Sequence, residues 1–327
     1  MLPVEPREYH EFLRTPSLRW WRPLLALLMA AALFFAVSTL FTLPAMAYDL
    51  STGRTTLDNY TSMSTFVMTP AFFLANNLAL AACVPIAGLT QWACFGQRPR
   101  WLSSVTGAFR WSWFGECLLW IMPVFVLSLL LDVIFGGLPD QLRIGPDTVF
   151  MVAAILLTTP LQAAGEEYLL RGLGQRAVAS WLPGLAGLAV STAVTAVVFM
   201  LLHGAGDPWL NAFYLVFAVV GSVLAWRTGG IEAAVALHVV NNVVSMTLLP
   251  FTDFSDMFNR GAGAGSPVVL VQMAILAGAL AIVLWRARVR NVTVRTAPGA
   301  SVVLEAAQPP ASPMPVVWRH HHGNQAD

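Results

Sequence analysis

Gly165-Glu166-Glu167-Tyr168-Leu169-Leu170-Arg171-Gly172 places three charges at the end of an apolar run that begins near residue 148. Two more polar clusters follow in runs just as greasy: Phe199-Met200-Leu201-Leu202-His203 and His238-Val239-Val240-Asn241-Asn242. A charged side chain at the centre of a bilayer costs about 2.5–3.5 kcal/mol on insertion scales. Two Glu, one Arg, two His and two Asn at such positions therefore read as one buried site, because lipid-facing positions would not tolerate them.

Outward from these clusters the chain stays apolar. Of its 327 residues 57% are hydrophobic and only 11% charged, against about 25% charged in soluble domains. A hydrocarbon core of about 30 Å takes about 20 apolar residues per helix. Eight stretches qualify: 23–47, 66–90, 113–136, 148–170, 186–203, 209–226, 231–250 and 267–285. The expected fold is all-α, a polytopic transmembrane helix bundle of about eight spans in the cell membrane. All 18 basic residues are Arg, and they are unevenly placed. Arg7, Arg14, Arg19, Arg22, Arg98, Arg100, Arg110, Arg171, Arg176, Arg227, Arg286, Arg288, Arg290, Arg295 and Arg319 fall on one side of this topology. The other side has Arg54, Arg143 and Arg260. The positive-inside rule then puts both termini in the cytoplasm. The first span is too long, and its flank too charged, for a cleaved signal peptide.

The chain divides into a cytoplasmic segment 1–22, three helices over 23–136, a core at 148–250, a last helix at 267–285 and a disordered tail at 291–327. The tail is rich in Ala, Pro and Val, and its His320-His321-His322 run reads as a solvated tract. Trp92, Trp101, Trp111 and Trp113 suit an interface. Cys83, Cys94 and Cys117 have neither disulfide nor zinc spacing and read as packing residues. Gly261 to Gly265 reads as a flexible external linker, and not as a phosphate loop, since no Lys-Ser/Thr helix follows it. Nucleic acid is not an expected partner.

On a helix, residues four apart share a face. Glu167 and Arg171 form a natural ion pair, and Glu166, about 100° round the helix, is left to face a cavity. A carboxylate whose pKa is raised by desolvation can act as a general base. The plainer alternative is a structural ion network. His203 at a helix end is, taken alone, more often structural. His238 and Asn242 share a face, with Asn241 beside them. Together they suit stabilisation of an oxyanion, or interhelical hydrogen bonding. His238 lies about 12 Å beyond the Gly229-Gly230 turn, and Glu166 about 9 Å before Gly172 if that glycine marks the membrane boundary. His203 joins them only if an irregular hairpin over 172–190 protrudes. The site is accordingly expected in the cytoplasmic half of the bilayer.

EExxxR, FxxxH and HxxxN on successive apolar helices resemble the CPBP family, the CAAX-protease and bacteriocin-processing (Abi) family. It includes the CAAX prenyl endopeptidases and relatives linked to bacteriocin self-immunity. The resemblance covers 148–250. It implies that Glu166 is the catalytic glutamate and that His203 helps to activate water. It also implies that His238 and Asn242 bind the oxyanion. Glu167 and Arg171, with Phe199 and Asn241, would support the site or contact substrate. Some of the family has been described as metalloproteases, and Glu166, His203 and His238 resemble a His/Glu zinc set. No HExxH helix is present. Glutamate-activated water with no required cofactor is the favoured reading, and zinc the alternative.

The function expected is an intramembrane endopeptidase acting on membrane-anchored peptides or proteins at the bilayer. The resemblance allows a lipidated, prenylated substrate, although no residue demands one. Two rivals use the same residues: a proton-coupled transporter and a non-enzymatic membrane immunity or scaffold protein.

Overall fold

The computed structural model describes residues 1–61, 66–139, 142–255 and 260–300. Among them are eight helices long and apolar enough to cross a membrane: α1 (Trp21–Ser51), α2 (Pro70–Phe95), α3 (Trp111–Phe135), α4 (Thr148–Ala179), α5 (Gly184–Leu202), α6 (Pro208–Thr228), α7 (Glu232–Phe251) and α8 (Val269–Val289). Each expected span coincides with one helix to within a few residues, except at the end of the fourth. The protein is a multi-pass membrane helix bundle. Only 11% of the most apolar window of α1, and of α3, is buried. Phe35, Leu40 and Phe135 point outward, as a helix greasy on all sides does when lipid surrounds it.

Helix α7 is the hub. It packs against α3, α4 and α6, while the pairs α1–α2, α2–α4, α5–α6, α6–α8 and α3–α8 surround it. The helix starts are written locally. The Thr69 hydroxyl accepts from the Phe72 N–H with Pro70 in the first turn of α2, and Asp207 caps Trp209 and Leu210 ahead of α6. Helix α6 ends at Gly229, with φ +68°, a left-handed cap that favours glycine. Gly165 lets α4 press onto α2: a Cβ there would lie 1.9 Å from the Leu80 carbonyl oxygen.

One end of the bundle carries a polypeptide cap. Strand β1 (Arg7–Glu8) pairs antiparallel with β2 (Arg295–Thr296). Glu8 accepts from the Arg295 guanidinium and from the Trp226 indole at 2.8 Å. Tyr9, Phe12, Trp101, Val105 and Ile231 form a small core beneath. Arg110 closes the same end with a forked pair of bonds to buried Glu232.

Three expectations change here. Residues 291–300 are folded into this cap; the rest of the tail read as disordered, 301–327 with Arg319 and His320 to His322, lies outside the described residues. Trp101 and Trp113 are core residues, 7% and 3% exposed: the cap covers Trp101 with Tyr9 and Phe12, and Trp113 packs into the main helix core with Cys117 and Ile121. Gly172 is not a boundary. Helix α4 widens into π-helical turns over Tyr168–Gln175 and continues through Arg176–Ala179. The cap buries this stretch, with Arg176 bonded to Gln91 and to the Trp101 and Gly172 carbonyls. Its backbone therefore stays helical in place of the irregular hairpin expected over 172–190.

Candidate active site

Glu166 and Glu167 are the last residues of the α-helical part of α4, Thr148–Glu167, just before the π-helical turns. Their carboxylates diverge, as the helical period requires. Glu167 is fully buried. Its Oε1 accepts from Arg171 Nη1 at 3.0 Å and from His238 Nδ1 at 2.9 Å. Arg171 is clamped in turn. Its Nη2 donates to the Ala218 carbonyl at 3.2 Å, and its guanidinium lies 4.9 Å from the centre of the Phe199 ring. Gly221 leaves it room, since a Cβ there would stand 3.2 Å from Nη2. Among the described residues Glu167 Oε2 and Arg171 Nε have no hydrogen-bond partner. A buried pair left half-satisfied is a poor stabiliser. What this one does achieve is to hold the His238 ring.

With Nδ1 donating to Glu167, a tautomer assigned from the hydrogen bond, His238 turns Nε2 toward Glu166. The distance to Glu166 Oε2 is 3.8 Å, too long for a direct hydrogen bond. The Glu166 side chain is 14% exposed, against 1% for Glu167. Gln162 Nε2 donates to Glu166 Oε1. Gln162 Oε1 accepts from Asn242 Nδ2 at 3.1 Å, and Asn242 Oδ1 from Asn241 Nδ2 at 3.0 Å. A polar chain thus runs from the carboxylate on α4 to the carboxamides on α7.

Phe199 is the apolar joint of the site. It stacks on Phe217 at 5.7 Å and touches both imidazoles, His203 at 4.3 Å and His238 at 6.1 Å. His203 follows the last residue of α5. Its Nδ1 bonds the Phe199 carbonyl at 2.8 Å, and its ring stacks on Tyr214 at 4.0 Å. Arg260 donates to the His203 carbonyl at 2.8 Å and lies over the Tyr214 ring. Glu166, Arg260 and His238 are the charges that act on His203.

The fold therefore brings Glu166, Glu167, Arg171, Phe199 and His238 into one cluster. Asn242 and Asn241 join it through Gln162. His203 reaches it through the Phe199 ring and through charge, and no hydrogen bond links it to Glu166 among the described residues. Sequence reasoning missed three residues. Gln162 carried a usable signal, a polar side chain one turn before Glu166 on the same face. Tyr214 and Arg260 carried none, since Arg260 meets His203 across 57 positions of chain.

The alternative zinc set is Glu166, His203 and His238. Among the described residues no group of three His, Cys, Asp or Glu could hold a metal ion. In His203 and His238 Nδ1 is bonded to the Phe199 carbonyl and to Glu167, which leaves Nε2 as the nitrogen each could offer a ligand. Two surface hollows, one beside the N-terminal segment and Trp181, the other beside Arg54 on the flank of α1 and α2, lie away from these residues.

Residues 148–244 match the family model described as type II CAAX prenyl endopeptidase Rce1-like. The match runs from the start of α4 into α7. It contains every site residue singled out from the sequence, and its family is the CAAX-protease family that the three motifs resemble. No curated protein and no solved structure matches the chain.

Proposed function

With an Rce1-like segment in an eight-helix membrane protein as the premise, we propose an intramembrane endopeptidase that uses glutamate-activated water. One observation carries this reading. A partly exposed carboxylate, Glu166, faces the Nε2 of an imidazole whose other nitrogen is fixed by a second, buried carboxylate. A gap of 3.8 Å between two polar groups is the kind that a water bridges. Glu166 takes a proton from that water, with His203 as the second basic group beside it. The hydroxide oxygen bonds to the peptide carbonyl carbon. Charge grows on the carbonyl oxygen, which accepts from Asn242 Nδ2–H and from the protonated Nε2 of His238. Asn242 exchanges Gln162 for substrate in this step. Collapse breaks the C–N bond, and the proton held by Glu166 passes to the leaving nitrogen. Glu167 holds His238 as Nδ1–H donor and fixes the orientation of its ring. Burial among Phe199, Phe217 and Arg171 strengthens each of these interactions.

No step in this scheme is routed through a metal. The substrate class is a membrane-associated peptide or protein. Lipidation of that substrate is supported by the family alone. The Arg distribution supports termini in the cytoplasm. The test is Glu166→Gln in purified protein and in cells. Gln keeps the shape but cannot take a proton, so cleavage should vanish while the protein inserts and folds normally. Proteomics of the membrane should then lose the peptide termini made by the parent protein. Full activity in the variant would remove Glu166 as the base. Partner binding without cleavage would favour the scaffold reading, and substrate flux across liposomes the transporter.

A further inference from the structure

A hollow of about 510 Å³ lies at the capped end, between the N-terminal segment and the turn from α4 to α5. Its walls include Arg7, Arg14, Thr15, Trp20, Ser180 and Trp181. Trp20 is the residue before α1, and Trp181 stands three residues before α5 begins at Gly184. The Trp181 indole donates to the Trp20 carbonyl at 2.8 Å, and both side chains stay exposed. Tryptophans at the ends of two spans mark the level of lipid headgroups.

The cations around this hollow outnumber the acids that could answer them. Arg7 meets Glu5 at 3.0 Å and Glu11 at 3.9 Å. Glu11 also takes the Gly184 N–H at 2.9 Å, and Glu8 is turned to Arg295. Among the described residues no carboxylate forms an ion pair with Arg14, Arg19 or Arg22. Arg14 is held in place by the wall itself. Its Nη1 donates to the Ser180 carbonyl at 3.2 Å, while its Nε is buried without a hydrogen-bond partner. A buried donor left unpaired is costly. A guanidinium fork fixed at one corner, with a donor to spare, suits a phosphate oxygen.

Hydrocarbon surface continues from the same wall. Trp20, Leu24 and Leu28 follow one another at intervals of four, so they form one stripe along the start of α1. Leu24 and Leu28 are exposed, as are Leu182 and Leu185 around the start of α5. Charge at the headgroup level and an apolar stripe below it match the two parts of a lipid. We propose that this hollow binds the headgroup of an anionic phospholipid, its phosphate on Arg14 and Arg7 and its chains along Trp20, Leu24 and Leu28. The net charge of the headgroup follows from the acids. Glu5 lines the hollow but already serves Arg7, so a choline or ethanolamine cation would find no carboxylate of its own. Basic pockets between membrane helices hold anionic headgroups by this chemistry. The bound lipid touches the N-terminal segment, the start of α1 and the turn after α4 together, and so clamps the cap to the bundle. No part of this depends on the endopeptidase reading.

Lipid competition tests it. The full-length protein is released from nanodiscs of equal parts phosphatidylglycerol and phosphatidylcholine, and the lipid it retains is counted by native mass spectrometry. Phosphatidylglycerol should be retained in preference. Hydrogen exchange over 7–20 should be slower in phosphatidylglycerol discs than in phosphatidylcholine discs. Arg14→Gln can still donate to the Ser180 carbonyl, and should lower the preference about fivefold, the factor for one arginine at an anionic surface. Arg7→Gln, at a half-buried position of the same wall, should lower it too, and carries the test if Arg14→Gln does not fold. Arg288→Gln removes an exposed charge from the same end but away from the hollow, and should leave the preference unchanged. Equal retention of the two lipids by the parent protein would overturn the proposal. An equal loss in Arg288→Gln and the hollow variants would overturn it as well, since it would show only a general attraction to the surface. Inorganic phosphate added to phosphatidylcholine discs gives the last arm. If it slows exchange over 7–20 as far as phosphatidylglycerol does, the hollow takes free phosphate and the lipid is refuted.

Discussion

Replacing Arg171 with Met removes a group that ties α4 to the Ala218 carbonyl on α6 and to the Phe199 ring on α5. The guanidinium satisfies Glu167 at 3.0 Å, bonds the Ala218 carbonyl and covers the Phe199 ring. Removing one partner of a buried ion pair typically costs about 3–5 kcal/mol, because the other charge is left unpaired. Two features favour the lower end of that range. Met keeps a contact with the aromatic ring worth about 0.3–1.5 kcal/mol. His238 Nδ1 also remains on Glu167 Oε1, so the carboxylate keeps one hydrogen-bond donor. A loss of about 3 kcal/mol follows, which should lower the Tm in detergent by several degrees. Peptide hydrolysis should fall as well, since Glu167, no longer held by Arg171, fixes the His238 ring less firmly. The double variant Glu167→Gln with Arg171→Met removes the stranded charge and should recover much of the Tm but not the activity. An unchanged Tm in Arg171→Met would refute the argument, and would mean that the pair is solvated in the working protein. Activity that recovers along with Tm in the double variant would show that Glu167 has no part in orienting His238.

Asn242→Ala should lower kcat by about 100- to 1,000-fold with little change in KM, the signature of a lost oxyanion donor. Asn241→Ala should be milder, because Asn241 reaches the site only through Asn242; the reverse order would place the oxyanion on the wrong face of α7. Gly165→Ala should destabilise by more than the about 1–3 kcal/mol usual for overpacking, since its Cβ would meet backbone oxygen and not a movable side chain; an unchanged melting curve would count against the α2–α4 contact. Burial by itself would raise the Glu8 carboxyl, but hydrogen bonds from Arg295 and Trp226 outweigh it and hold the group below its usual 4.5. Its contribution to the cap is therefore complete above that value and lost as the pH falls through the lower, folded one. Hydrogen exchange over 291–300 should rise on acidification in the parent, and Glu8→Gln should abolish that pH dependence.

Most of what is local could be read from the order of residues. The eight helices follow from run length and hydropathy, and the Glu167–Arg171 pair from a spacing of four. The divergence of Glu166 and Glu167 follows from the helical period. The start of α6 is written in Asp207-Pro208 and its end in Gly229. Each depends on neighbours within a turn or two, so no knowledge of the fold is needed. The bond from His238 to Glu167 spans 71 positions, and no periodicity encodes it. Hydropathy also cannot tell a side chain that prefers lipid from one that prefers protein. Trp101 and Trp113 therefore looked like interface anchors and turned out to be core. Gly172 looked like an end because glycine marks helix ends where backbone meets water. Here the paired strands Arg7–Glu8 and Arg295–Thr296 bring a cap over it, and the helix continues dry. The identity of the polar residues was thus determined by the sequence alone. Which of them meet, and which end of the bundle is sealed over them, was decided by packing between segments tens to hundreds of residues apart.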